Sequence, residues 1–299
     1  MLLSNPIASP MWPTLAWTFG GLFGGSLVAL LITAHGRWQE LSGSVLFRRW
    51  RTWIAIAAVF SVATLSGPIA LALFVGAVAV VASHEYARLF KLPAPDAWVL
   101  RCAAVAVPLA ALVVAPISLT PLFPLVAALP ALCAQDVKHG ANRLGRLAFG
   151  LWYVPLTLAM LVSLEGDPRG GPGLVLALAL ATALSDVGAF TFGKLFGRYT
   201  APLAARLSPS KTVAGLGGNL AGAALGVLLL RPAAPAMWLL IMVVAVGSVW
   251  GDLLESLLKR AAGAKDAGTW LPGFGGVLDR VDSLLIVLPL ATAALALSA

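Results

Sequence analysis

Residues 236–260 read AMWLLIMVVAVGSVWGDLLESLLKR. The first sixteen positions carry no charge, and the remaining nine carry Asp252, Glu255, Lys259 and Arg260. An uncharged apolar run of this kind has no face to offer water and reads as a helix in lipid. Where it ends, Asp252, Glu255, Ser256 and Lys259 fall at i, i+3, i+4 and i+7, on one face of a continuing helix. A glycine-rich break follows. Asp279 and Asp282, at i and i+3, then share a face of a second helix that enters the apolar segment 283–298.

The same reading extends to the whole chain. Its 299 residues are 60% hydrophobic and 11% charged, and the mean hydropathy is +0.94. Soluble domains carry roughly 25% charged residues, so this composition cannot coat a surface that faces water. Ten apolar segments are legible, near 14–34, 53–66, 69–83, 97–115, 117–134, 147–164, 173–192, 212–230, 236–251 and 283–298. The expectation is an all-α, polytopic transmembrane helical bundle of about ten spans, with cytosol-facing catalytic loops and helices. Segments 53–66 and 69–83 are short and meet at Gly67-Pro68, as two tilted spans or one re-entrant hairpin. Cys102 and Cys133 lie in apolar runs with no ligand spacing and are expected to be packing residues. No basic region precedes the first apolar run, so a cleaved signal peptide is not expected.

The net charge of +8 is explained by topology. Eighteen of the twenty basic residues fall in alternate loops, and only Arg169 and Arg231 fall in the other set. The positive-inside rule makes the basic set cytosolic and places both termini outside. Nucleic acid is not an expected partner. The chain reads as an integral protein of a bacterial inner membrane.

Against this background the twelve acidic residues stand out, and five lie between Gly251 and Ile286. Two helices presenting carboxylates, flanked by Lys259, Arg260, Lys265 and Arg280, suit Mg²⁺ and phosphate. Hard oxygen ligands hold the metal while the bases hold phosphate oxygens. Charge abutting lipid is expensive, which argues against an ordinary solvated loop. Asp186, near the cytosolic end of the seventh segment, is an intramembrane carboxylate and a further candidate ligand. The run Ser208-Pro-Ser-Lys-Thr212 offers hydroxyls, a lysine and a helix start, the parts of a phosphate cradle. His84 and Glu85 close the third segment on the same side, where a capping or pairing role at the interface is favoured over catalysis.

The run S256-LLKRAAGAKDAGTWLPGFGGVLDRVD-282 resembles the signature of the phosphatidate cytidylyltransferases, the CDP-diacylglycerol synthases. Ser256, Lys259, Arg260, Lys265, Asp266, Gly268, Pro272, Gly275, Gly276, Asp279, Arg280 and Asp282 fall in register with it. The SDxGAF run from Ser185, GKLFGR from Gly193, SPxKT from Ser208 and HEYARL from His84 resemble further elements in the right order. Two departures occur: Phe274 stands where the signature has histidine, and Val213 and Ala214 replace an aromatic and an acidic residue. The resemblance covers residues 48–299, and residues 1–47 read as an added N-terminal span and basic loop.

The resemblance implies transfer of CMP from CTP to phosphatidic acid, giving CDP-diacylglycerol and pyrophosphate. Asp252, Asp279, Asp282, Lys259 and Arg280 would be the catalytic set. Asp252, Asp279, Asp282 and Asp186 would hold Mg²⁺, with a second cation an option. Ser208, Lys211, Ser256, Arg260, Lys265, Asp266, Gly275 and Gly276 would bind substrate. Membrane lipids surround the chain, and a homodimer is compatible with this reading. The alternatives are a CTP-dependent lipid kinase of the dolichol or phytol type, an ion-coupled transporter, and an inactive scaffold suggested by Phe274.

Overall fold

Each of the ten apolar segments forms helix in the computed structural model, which describes residues 3–33, 43–232, 237–268, 270 and 275–298. Eleven α-helices are described: α1 (Trp12–Thr33), α2 (Val45–Leu65), α3 (Pro68–Leu89), α4 (Ala94–Ala110), α5 (Leu122–Cys133), α6 (Gly140–Leu151), α7 (Thr157–Glu165), α8 (Gly171–Phe196), α9 (Val213–Leu230), α10 (Met237–Ala261) and α11 (Leu278–Leu297). One antiparallel hairpin, β1 (Pro202–Ala204) and β2 (Ser208–Thr212), separates α8 from α9.

Eight helical stretches among the described residues are long and apolar enough to cross a membrane. α2 and α4 are not among them: α2 carries Arg48, Arg49 and Arg51, and α4 has 17 residues with Asp96 and Arg101. The segments near 53–66 and 69–83 extend beyond their apolar cores into helices of 21 and 22 residues. At 1.5 Å per residue each is about 30 Å long, so together they form a hairpin of two membrane-length helices turning at Gly67, whose φ is +97°. Cys102 and Cys133 are exposed on α4 and α5. This corrects the expectation that they pack inside. A thiol is apolar enough to face lipid, so an apolar run does not separate the two settings.

The core is built around the stretch from Gly140 to Glu165. α6 and α7 are joined by a π-helical turn, Trp152–Leu156, containing Pro155. Proline has no N–H for the regular ladder, and the widened turn absorbs the break. Nearly every side chain from Tyr153 to Leu164 is buried, packed against α3, α4, α8 and α11.

Side-chain contacts sort the helix ends into two sets. At one end the Tyr86 hydroxyl donates to the Arg146 carbonyl (2.8 Å), and Arg143 makes a two-pronged contact with buried Asp96 (2.9 and 3.0 Å). Arg143 also donates to Asp136 (2.9 Å) and holds that loop carboxyl below its ordinary range. At the opposite end Arg169 donates to the Leu295 carbonyl (2.7 Å), and Ser4 donates to the Leu65 carbonyl (2.6 Å). The clustered acidic residues gather at the first end.

Candidate active site

Two glycines on α10 set the central geometry. A Cβ at Gly247 would lie 2.9 Å from the Val287 Cα, and one at Gly251 would lie 2.7 Å from the Ser283 Cα. Only a helix lacking side chains at these positions lets α11 approach so closely. Asp252 follows Gly251, and Asp282 precedes Ser283, so the crossing brings the two carboxylates to one locality. Asp282 is 8% exposed, whereas the side chain of Asp252 is 42% exposed.

α8 supplies the third carboxylate. The Ser283 hydroxyl lies 3.2 Å from Asp186 Oδ1 and 3.3 Å from the Ser248 carbonyl, so its single proton is shared between α8 and α10. Asp186 and Asp252 both line one cavity, and Asp282 immediately precedes the serine that bonds Asp186. Asn219 of α9, almost fully buried, donates to the Ser248 hydroxyl (2.7 Å), so that one of its polar groups is paired.

The β-hairpin brings a cation to this place. Lys211, on β2, forms an ion pair with Asp252. Thr212 then caps α9, its hydroxyl accepting the Gly215 N–H at 3.2 Å. A cavity of about 400 Å³ opens here, with Asp186, Lys194, Ser210, Lys211, Asn219 and Asp252 among its polar lining. Phe190 and Leu216, both exposed on the outer surface, form part of its apolar wall.

Asp279 has a different setting. Its Oδ1 receives the Lys259 ammonium at 2.8 Å, and its Oδ2 receives the Gly276 N–H at 2.8 Å and the Ala267 N–H at 3.1 Å. Lys259 also contacts Glu255, 1% exposed, at 2.5 Å. The four acidic candidates therefore divide: Asp186, Asp252 and Asp282 surround one locality, while Asp279 joins Glu255 and Lys259 and ties the glycine loop to α11. An i, i+3 spacing places residues on one helix face but about 4.5 Å apart along the axis, far enough to meet different neighbours.

The remaining expected residues are scattered around this frame. Ser208 pairs with the β1 end at Ala204 and is absent from the cavity lining, where Ser210 and Thr212 appear instead. The expected helix start within 208–212 is strand, and the helix begins at Val213. Ser256 is half-buried on α10; Lys265, Asp266 and Arg280 are exposed at the same end. Arg260 is exposed and donates to the Ala264 carbonyl at 3.2 Å. Gly275 adopts a positive φ of +86°, and Gly276 is buried against Glu85. Pro272, Gly273 and Phe274 lie outside the described residues.

Sequence reading did not find Asn219, Ser248 or Tyr153. Tyr153 is fully buried on the π-turn, and its hydroxyl has no protein partner among the described residues. An irregular helical turn at Pro155 was its only signal in the sequence. The donor set fits a hard divalent cation, since Asp186, Asp252, Asp282 and the nearby hydroxyls offer only oxygen. Among the described residues, no three acidic, histidine or cysteine side chains converge closely enough to enclose an ion.

Comparisons with known proteins identify the family of the chain. The model of the cytidylyltransferase family matches residues 47–298. A phosphatidate cytidylyltransferase of Mycobacterium leprae is 40% identical over 160 residues, which is 52% of this chain and 50% of the relative. One from Brucella suis is 39% identical over 166 residues, 54% of this chain and 60% of the relative. The matched region thus spans about half to three-fifths of the length of these two relatives. A Pseudomonas aeruginosa phosphatidate cytidylyltransferase is 35% identical over 238 residues, 75% of this chain and 87% of the relative.

Proposed function

The chain belongs to the cytidylyltransferase family, and on that premise we propose that it transfers CMP from CTP to phosphatidic acid. The products are CDP-diacylglycerol and pyrophosphate. The observation that carries this reading is the gathering of Asp186, Asp252 and Lys211 around a cavity with one exposed apolar wall, with Asp282 beside Ser283, the residue that bonds Asp186. The names of the relatives supply the substrate class.

In this reading a phosphate oxygen of the lipid attacks the α-phosphorus of CTP. The new P–O bond forms as the bond to the bridging oxygen breaks, and its electron pair leaves with pyrophosphate. The attacking oxygen is already ionised, so no side chain has to remove a proton. Positioning and charge neutralisation then carry the rate, and a phenyl group at position 274 is compatible with turnover. Asp252 and Asp282, with Asp186, would hold Mg²⁺. When bound, the ion spreads the charge of the two polyanions and of the leaving pyrophosphate.

Lys211 turns from Asp252 to a phosphate oxygen when nucleotide enters, exchanging one anionic partner for another. Phe190 and Leu216 give the lipid an apolar approach, so its acyl chains remain among the helices. Asp279 serves by holding the loop, in place of the metal-ligand role that its spacing suggested. The site faces the cytosol of a bacterial cell and both termini face away, as the eighteen-to-two division of basic residues supports.

The test uses purified protein, radiolabelled CTP and vesicles containing phosphatidic acid, with and without Mg²⁺. Label in the lipid fraction with release of pyrophosphate is expected. CDP as the nucleotide product, with a lipid alcohol as acceptor, would replace this reading with a lipid kinase.

A further inference from the structure

Glu85 lies at the end of α3 that carries the site, is 1% exposed, and forms no salt bridge among the described residues. Its two oxygens are taken by backbone far along the chain: Oε1 accepts the Val277 N–H at 3.0 Å, and Oε2 accepts the Leu278 N–H at 2.7 Å. These N–H groups open α11, where a helix leaves donors without intrahelical partners and presents the positive end of its dipole. A carboxylate from another helix satisfies both needs, and charge-assisted bonds to backbone are among the stronger ones.

The glycine loop is shaped around the same carboxylate. A Cβ on Gly268 would lie 2.5 Å from Glu85 Cδ, and a Cβ on Gly276 would lie 2.6 Å from its Oε2. Both are closer than real side chains come, so glycine at each position makes room for Glu85. From there the contacts run directly into the site. The Gly276 N–H goes to Asp279, Asp279 holds Lys259, and Asp282 lies one turn beyond on α11.

We propose that Glu85 is a positioning residue for the transfer reaction: it fixes the glycine loop and the first turn of α11 in the setting that directs Asp282 toward Asp252. The proposal rests on the reading of function given above. It assigns to α3 a task that neither of the two acidic helices can perform alone. Without this anchor, the backbone at Ala267 and Gly276 is left to its bonds with Asp279, and the rotation of the first turn is no longer determined.

The substitution Glu85→Gln isolates the effect. An amide keeps the shape but offers a single acceptor oxygen, and its NH₂ would face the second backbone N–H donor to donor. Amide exchange at Val277 and Leu278, measured by mass spectrometry on the detergent-solubilised protein, should speed at least tenfold. The Mg²⁺ concentration for half-maximal turnover should rise several-fold, a change that loss of folded protein alone does not produce.

Gly268→Ala should reproduce both effects by pushing the carboxylate aside. Combining it with Glu85→Asp should partly restore turnover, because the shorter side chain leaves space for the methyl group; this is the non-additivity expected of touching residues. Unchanged exchange at 277–278 in Glu85→Gln, or additive effects of Gly268→Ala and Glu85→Asp, would overturn the proposal. If Glu85→Gln does not fold, the Gly268→Ala protein decides by the same exchange measurement. A wild-type protein with no transfer to lipid would defeat the functional reading instead, and the exchange result would still judge the anchor.

Discussion

Lys259 of α10 reaches across to Asp279 of α11, with Nζ and Oδ1 2.8 Å apart, while its own helix supplies Glu255 on the other side at 2.5 Å. One lysine thus serves two buried carboxyl groups on two different helices. The arrangement holds the two acidic helices together at the end where the chemistry is proposed. It separates the function of Asp279 from that of Asp252, although both are aspartates in the same charged stretch.

Asp279→Asn should therefore lower both stability and activity. Losing one of the two carboxyl partners of a largely buried lysine costs about 1–3 kcal/mol, visible as a lower unfolding temperature in detergent. Turnover should fall with it, because the loop loses its tie to α11. Full turnover with unchanged unfolding would remove Asp279 from this structural role.

Asp252→Asn should behave differently. Its side chain is 42% exposed on the cavity wall, so the fold does not depend on it. Asparagine keeps the shape but loses the charge that a divalent cation needs. Turnover should fall by about 10²–10³-fold, the magnitude typical of removing one electrostatic contact at a reacting phosphate or carbonyl, while the unfolding temperature stays near that of the wild type. Steady-state rates beside a thermal melt would decide, and equal losses in both would show that Asp252 is structural.

The α10–α11 crossing can be tested with a matched pair of glycines. Gly251→Ala places a methyl group 2.7 Å from the Ser283 Cα, against backbone that cannot rotate away. Overpacking of this kind costs about 1–3 kcal/mol, and parting the helices should also reduce turnover by separating Asp252 from Asp282. Gly217→Ala, in α9, meets nothing within 4 Å and should be neutral or stabilising by up to about 1 kcal/mol through helix propensity. Equal destabilisation of the two variants would contradict the close crossing.

Metal removal should stop the reaction without unfolding the protein. The core around α3, α7, α8, α10 and α11 is apolar, so its helices do not rely on an ion. Chelation is expected to abolish label transfer from CTP, with the far-ultraviolet circular dichroism unchanged, and added Mg²⁺ should restore it. Transfer at the full rate in excess chelator would exclude the carboxylates from metal binding.

Hydropathy and charge are local properties of the chain, and they were sufficient for the coarse architecture. A bilayer admits only helices of a certain length and apolarity here, because each backbone group must find its partner within the segment. The ten helical segments, the gathering of acidic residues at one end of the bundle and the glycine break between α10 and α11 were therefore legible without coordinates. The same reasoning marks the 252–282 stretch as the candidate site, since carboxylates beside lipid are costly unless they have work to do.

What lies across a helix from a given side chain is not a local property, and the tertiary structure alone decided it. Spacing placed Asp279 and Asp282 on one face but could not show that one meets Lys259 while the other approaches Asp252. Nor could it bring Glu85 to the backbone at Leu278, 193 positions away, or exchange Ser208 for Ser210 on the cavity wall. Those outcomes depend on how closely helices approach. That approach was set by Gly251 against Ser283 and by Gly268 and Gly276 against Glu85, where the absence of a side chain matters only once the neighbouring chain is in place.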